Sequence, residues 1–294
     1  MRILMALKTG AERMLRSWKN VFLVWFVMLL LVTAVVSPLR GALQNAFGDS
    51  MITEKLTHGI FPEAFTDLGP VYSSIVSAFS RGFFTLILIS FLLNAFFTGG
   101  LFDCIKADSG QRNIKEFMRG CVMNFWSYFV ILVISGLFIS LTILLFSIVP
   151  SIFLDMDGDN VEIMVVRTIV IAGGLFILIL PLHLLVADYA RAWKAANPNA
   201  GVFKALGKGF SHTFGNFFSS WALMVIILLI NALFLWLVLA ILPGITPQSG
   251  KGIFLLFLLS QGLFIIRIML RLLRYSSVTC MMEESTERQI SPQI

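Results

Sequence analysis

Six long apolar runs separated by polar, charged stretches organise this chain. They fall at about 21–37, 82–100, 125–149, 165–187, 217–242 and 252–274. A helix of about 20 apolar residues crosses the roughly 30 Å hydrocarbon core of a bilayer. In lipid, only helices and closed barrels satisfy their own backbone hydrogen bonds, and these runs are too long and continuous for barrel strands. The pattern predicts an all-α integral membrane protein, one membrane domain over 1–294 with six transmembrane helices. The first run follows a basic segment, as a signal sequence would. No small-x-small cleavage site precedes "SPLRG", so it reads as an uncleaved helix.

The polar stretches repeat. "RSWKNVFLVWF" (16–26), "RGCVMNFWSYF" (119–129) and "SHTFGNFFSSW" (211–221) each pass from polar residues to an asparagine (Asn20, Asn124, Asn216) and then to aromatic-rich apolar sequence. Each following run ends at a proline: Pro38, Pro150 and Pro243. After the second and fourth runs, "LFDCIKA" (101–107) aligns with "VADYARA" (186–192), placing Asp103 with Asp188 and Lys106 with Arg191. The chain thus reads as three helical hairpins, with amphipathic cytoplasmic helices before spans one, three and five. Such parallel repeats imply a pseudo-symmetry axis along the membrane normal. In "ALKTGAERMLRSWKN" the apolar Leu7, Met14 and Trp18 alternate with Lys8, Arg13, Arg16 and Lys19. A basic helix of this kind lies in the headgroup plane, or serves as a docking surface for a soluble partner. Residues 38–81 are expected to form an extracytoplasmic cap.

Charge sets the orientation. Seventeen of the 22 lysines and arginines fall in the amino tail, in the stretches after spans two and four, and from Arg267 onward; Arg40, Lys55, Arg81, Arg167 and Lys251 fall on the other side. The acids divide evenly. Lys/Arg bias orients membrane proteins, so both termini are expected in the cytoplasm of a bacterial inner membrane. The composition agrees with this setting: 58% hydrophobic and only 13% charged, with a net charge of +6. The basic excess points to anionic inner-leaflet lipid and not to nucleic acid. Cys104, Cys121 and Cys280 fit no zinc or redox spacing and are expected as free thiols.

Candidate chemistry is sparse. In "IIRIMLRLLRYSS" (265–277), Arg267, Arg271 and Arg274 share one helix face. They form either a stripe that snorkels to inner-leaflet phosphates or a set in which Arg267 and Arg271 turn inward to pair Asp188 or Asp103. The guanidinium fork suits carboxylate and phosphate alike. The intramembrane polar residues are His183, Asn94, Asn231 and Gln261, expected chiefly as interhelical hydrogen-bonding groups. Gly173–Gly174 and Pro181 mark span four either as broken to line a path or as a place where helices approach closely. The acidic turn "DMDGDNVE" (155–162) lacks calcium-loop spacing and reads as a solvated loop. No catalytic triad order, phosphate loop or metal motif is present. The expectation is no enzyme, no cofactor and no metal.

The block "ADYARAWKAANPNAGVFKALGKGFSHTFGNFF" (187–218) resembles bacterial six-span membrane proteins, including the membrane-anchor domain attached to some glycerophosphodiester phosphodiesterases. The matching positions are Asp188, Tyr189, Ala190 and Arg191, then Ala205 and Leu206. The resemblance implies an inner-membrane module without catalytic residues of its own. No phosphodiesterase domain is attached, so no enzymatic label comes with it. Together these readings favour a non-enzymatic membrane subunit or scaffold. Its basic face would meet anionic lipid, Asp103, Asp188, Arg191 and the three span-six arginines would form its contact site, and it would pack with another membrane protein or with copies of itself. The alternative is a permease for a hydrophobic or lipid-like substrate.

Overall fold

The structure, a computed structural model, describes residues 2–47, 70–106, 114–154, 161–245 and 249–290. Apart from short connections, these residues are helical: α1 (Arg2–Arg16), α2 (Trp18–Phe47), α3 (Pro70–Lys106), α4 (Ile114–Leu154), α5 (Val161–Ala196), α6 (Val202–Gly215), α7 (Phe217–Ile241) and α8 (Gly250–Ile290). No strand occurs among the described residues. Six of the helices, α2, α3, α4, α5, α7 and α8, are long and apolar enough to cross a bilayer. The fold is that of an all-α, multi-pass membrane protein.

The chain divides into two compact units, one of Met1–Val21 with Ala95–Ile294 and the other of Phe22–Asn94. Within the smaller unit α2 and α3 meet where Gly82 lies under Val35; a Cβ at Gly82 would reach the Val35 side chain at 3.5 Å. The hydroxyls of Thr33 and Thr85 donate to Leu29 and Arg81 carbonyls one turn back in their own helices. This is how a hydroxyl is satisfied on a face that meets lipid.

In the larger unit the exteriors of the spans are apolar. Leu137, Phe138, Leu141 and Leu144 of α4 are exposed, as are Leu233, Leu235, Trp236 and Leu239 of α7. Apolar surface of this extent is stable against lipid or other helices, not against water. The buried residues instead gather near one end. Phe102, Tyr128, Ile131, Leu185, Leu272 and Tyr275 are almost fully covered.

Two of the three expected amphipathic helices are separate elements. Alpha1 ends at Arg16 before Ser17, and α6 ends at Gly215 before Asn216. Before span three the approach is fused into one continuous helix, α4, which starts at Ile114. Several expected ends also differ. Pro38 and Pro150 lie inside α2 and α4, and only Pro243 falls in the 3-10 turn that closes α7. Pro181 sits within an unbroken α5. A proline removes one backbone bond, which a membrane helix tolerates. The margins of the expected cap, 38–47 and 70–81, prolong α2 and α3, while 48–69 and the acidic turn at 155–160 lie outside the described residues.

Candidate functional site

The approach segments are seated on the even-numbered spans by glycines. A Cβ at Gly120, in the first turns of α4, would come within 2.7 Å of the Asp103 side chain on α3. At Gly209 of α6 it would lie 2.5 Å from the Val186 carbonyl oxygen and 2.8 Å from the Ala190 nitrogen of α5. At Gly10 of α1 it would overlap Ser277 of α8. Three approach segments thus meet three even spans in the same way. Small residues permit this close approach. Gly173 and Gly174 do not serve it: a Cβ on either meets nothing within 4 Å, and α5 does not break there. The repeated asparagines diverge, with Asn20 and Asn124 buried and Asn216 exposed. Three residues before each, Ser17, Cys121 and Thr213 are all buried.

These contacts close a polar cluster around Asp188. Its carboxylate is fully buried, with Oδ1 2.9 Å from Arg191 Nη1 and Oδ2 2.9 Å from Arg274 Nε. Arg191 is one turn along α5, and Arg274 reaches in from α8. Tyr128 of α4 donates its hydroxyl to the Arg191 carbonyl at 2.8 Å. Arg271 donates Nε to the Tyr275 hydroxyl (2.7 Å) and Nη2 to Thr98 Oγ1 of α3 (3.1 Å). The guanidinium carbons of Arg271 and Arg274 lie 5.4 and 5.0 Å from the centre of the Tyr275 ring. Phe102 packs on the same ring at 4.7 Å. Four helices are therefore joined through one carboxylate and two tyrosines. Breaking a buried ion pair by removing one partner typically costs about 3–5 kcal/mol.

Outer bonds extend the block. Arg13 of α1 pairs Glu283 of α8 at 2.8 Å, and Ser276 donates to the Gly10 carbonyl. Lys106, at the end of α3, donates to the Ala195 carbonyl at 2.7 Å. Lys194 closes the turn after α5 by donating to the Pro198 and Ala200 carbonyls. Asn20 donates to Cys104 Sγ at 3.2 Å, and the hydroxyls of Tyr189 and Ser220 are 2.9 Å apart.

The span-six arginines separate. Arg274 and Arg271 enter the cluster, whereas Arg267 is exposed. The expected inward pairing of Arg267 and Arg271 with Asp188 or Asp103 is not what the structure holds. Asp188 is taken by Arg191 and Arg274. Asp103, half-buried, lies over Gly120. Seven residues separate Arg267 from Arg274, about 10 Å along a helix, too far for both to reach one end cluster. Arg267 instead borders a recess of about 380 Å³ with Asn231 and Ser260. An arginine at the bilayer centre costs roughly 2.5–3.5 kcal/mol, and less near the interface.

His183 Nε2 lies 3.0 Å from Thr142 Oγ1, a hydrogen bond between α5 and α4. Asn231 donates to the Ile227 carbonyl of its own helix. Asn94 and Gln261 are half-buried on α3 and α8. Cys104 and Cys121 are buried free thiols and Cys280 is half-buried. No group of three metal-ligating side chains occurs among the described residues.

Sequence reasoning missed the tyrosines, although a signal was present. The chain holds 28 phenylalanines and only four tyrosines. A tyrosine in so phenylalanine-rich a chain suggests that its hydroxyl has a partner. Tyr128, Tyr189 and Tyr275 are all buried and all hydrogen-bonded. Compared with protein-family models, curated proteins and solved structures, the chain finds no match.

Proposed function

We propose that this protein is a non-enzymatic integral membrane subunit or scaffold of a bacterial inner membrane, with both termini in the cytoplasm and its basic end toward anionic lipid or a partner. The observation that carries the reading is the Arg191–Asp188–Arg274 cluster, which locks the ends of α5 and α8 together and is braced by α3 and α4. A fixed polar end with apolar walls suits a platform better than a gate. The resemblance of residues 187–218 to bacterial membrane-anchor domains supports the same role. A second copy or another membrane protein is the natural neighbour for the exposed walls. Gentle detergent purification followed by native mass spectrometry tests this: a stoichiometric membrane partner or self-assembly is expected.

A permease for a hydrophobic or lipid-like substrate is the second reading. It is favoured by an apolar recess of about 510 Å³ between α4, α5 and α6, bordered by Phe138, Leu182, His183, Leu206, Phe210 and Phe214. Reconstitution of the chain alone separates the two. Substrate flux in liposomes without a partner would favour the permease and overturn the scaffold.

A further inference from the structure

Alpha6 presents three different faces. Ala205, Gly209 and Thr213 are buried, with Gly209 seated on α5. Leu206, Phe210 and Phe214 border the apolar recess. On the remaining side Lys208, Ser211 and His212 border a separate polar pocket of about 380 Å³. Arg2 of α1, Tyr189 of α5, Ser219 near the start of α7, and Glu284 and Ser285 of α8 also border it. Two full cations therefore face one carboxylate. Arg2 and Lys208 make no ion pair among the described residues. Around them stand side chains able to donate, the Ser211 and Ser219 hydroxyls and the Asn216 amide, whereas Ser285 donates to the Met282 carbonyl.

We infer that this pocket binds a phosphate group, carried either by the headgroup of an anionic phospholipid or by a soluble phosphate ester. A phosphate offers several acceptor oxygens, which matches donors from α1, α6 and α7 better than a two-oxygen carboxylate does. The space exceeds that of a bare ion and leaves room for a small esterified group. His212 supports the assignment. Burial, and then the neighbouring Lys208, hold the pKa of its imidazole below the ordinary value, so both disfavour the charged ring. Arg2, Glu284 and Tyr189 are the other charged or titratable groups bordering the pocket. An arriving anion would reverse the balance and raise the imidazole pKa.

The lipid form of this inference rests on the orientation proposed above, which places the pocket at the cytoplasmic headgroup level. Phosphate binding itself does not. The test uses the full chain in neutral detergent at constant ionic strength, titrated with sodium phosphate, short-chain phosphatidylglycerol or short-chain phosphatidylcholine. Thermal unfolding and the His212 ring resonances are the readouts. The expected result is saturable binding of phosphate or phosphatidylglycerol, with an upward move of the His212 pKa. Lys208→Gln and Arg2→Gln should each weaken it at least tenfold. Lys204→Gln removes the same charge from an exposed position of α6 outside the pocket and should leave binding within twofold. Binding of inorganic phosphate identifies a soluble ligand, and binding of phosphatidylglycerol alone identifies a headgroup. No anion dependence, or equal loss in Lys204→Gln, overturns the inference. Lys208 and Arg2 are exposed, so their replacement leaves folding intact, checked by unchanged unfolding without anion. Liposome flux would overturn the scaffold and leave this result standing; absence of binding by both inorganic phosphate and phosphatidylglycerol would do the reverse.

Discussion

At the residue scale, the decisive group is Asp188. It lies between Arg191 and Arg274, and its removal leaves two guanidinium groups confined without a counter-charge. Asp188→Asn keeps the shape and removes the charge. A loss of about 3–5 kcal/mol is expected, read as a lower thermal midpoint in detergent and a lower membrane yield. Arg274→Met added to Asp188→Asn should cost less than the two single changes summed, because they share one interaction. Tyr128→Phe, which removes only the bond to the Arg191 carbonyl, should cost about 1 kcal/mol. Gly209 is a second sensitive point for a different reason. Its neighbours are Val186 and Ala190 backbone atoms, which cannot swing aside. Gly209→Ala should destabilise by about 1–3 kcal/mol through overpacking. Gly173→Ala, with open space around it, should not destabilise and serves as the control. An unchanged midpoint in Gly209→Ala would mean that α6 is not seated on α5 as described.

At the element scale, α6 carries a pH dependence whose sign follows from His212. Burial, and secondarily Lys208, disfavour the protonated ring in the folded protein, so the folded pKa lies below the ordinary value of about 6.5. Above that value both states are neutral and nothing is lost. As pH falls through about 6.5 the unfolded state takes up the proton first, and stability declines until pH passes below the depressed folded value. The wild type should lose thermal stability between pH 7.5 and 5 relative to His212→Gln; parallel curves would refute it. Helix identity was legible because a run of about 20 apolar residues has few alternatives, and the basic–apolar alternation of α1 and α6 marked them as approach helices. The breaks were less legible. Asn20, Asn124 and Asn216 look equivalent in sequence, yet only Ser17 and Asn216 mark interruptions, although a close glycine contact is common to all three approach segments. The site was half legible. Asp188 and Arg191 were singled out by the repeat, but the partner in α8 was expected at Arg267 or Arg271, and finding it at Arg274 requires the rotation of that helix against α5. No local spacing encodes that rotation.

At the scale of the whole molecule, an even number of crossings returns the chain to the side on which it began, so one charge asymmetry orients all six spans. The buried block, with Arg13–Glu283, Lys106 to Ala195 and the Asp188 cluster, gathers the basic ends of its spans together. Inserting that end into the cytoplasmic leaflet agrees with the lysine and arginine bias. The native thiols make this testable with little background, because Cys104 and Cys121 are buried and only Cys280 needs replacement by serine. Two reporters then suffice: Leu4→Cys in α1 and Ile245→Cys after α7, both at exposed positions. In intact spheroplasts a membrane-impermeant maleimide should label Ile245→Cys directly and Leu4→Cys only after permeabilisation. The reverse pattern would invert the protein and move the polar pocket to the opposite leaflet. Labelling of both reporters in intact cells would place them on one side, an even number of crossings between residues 4 and 245, and would contradict the five spanning helices that end at or before 241.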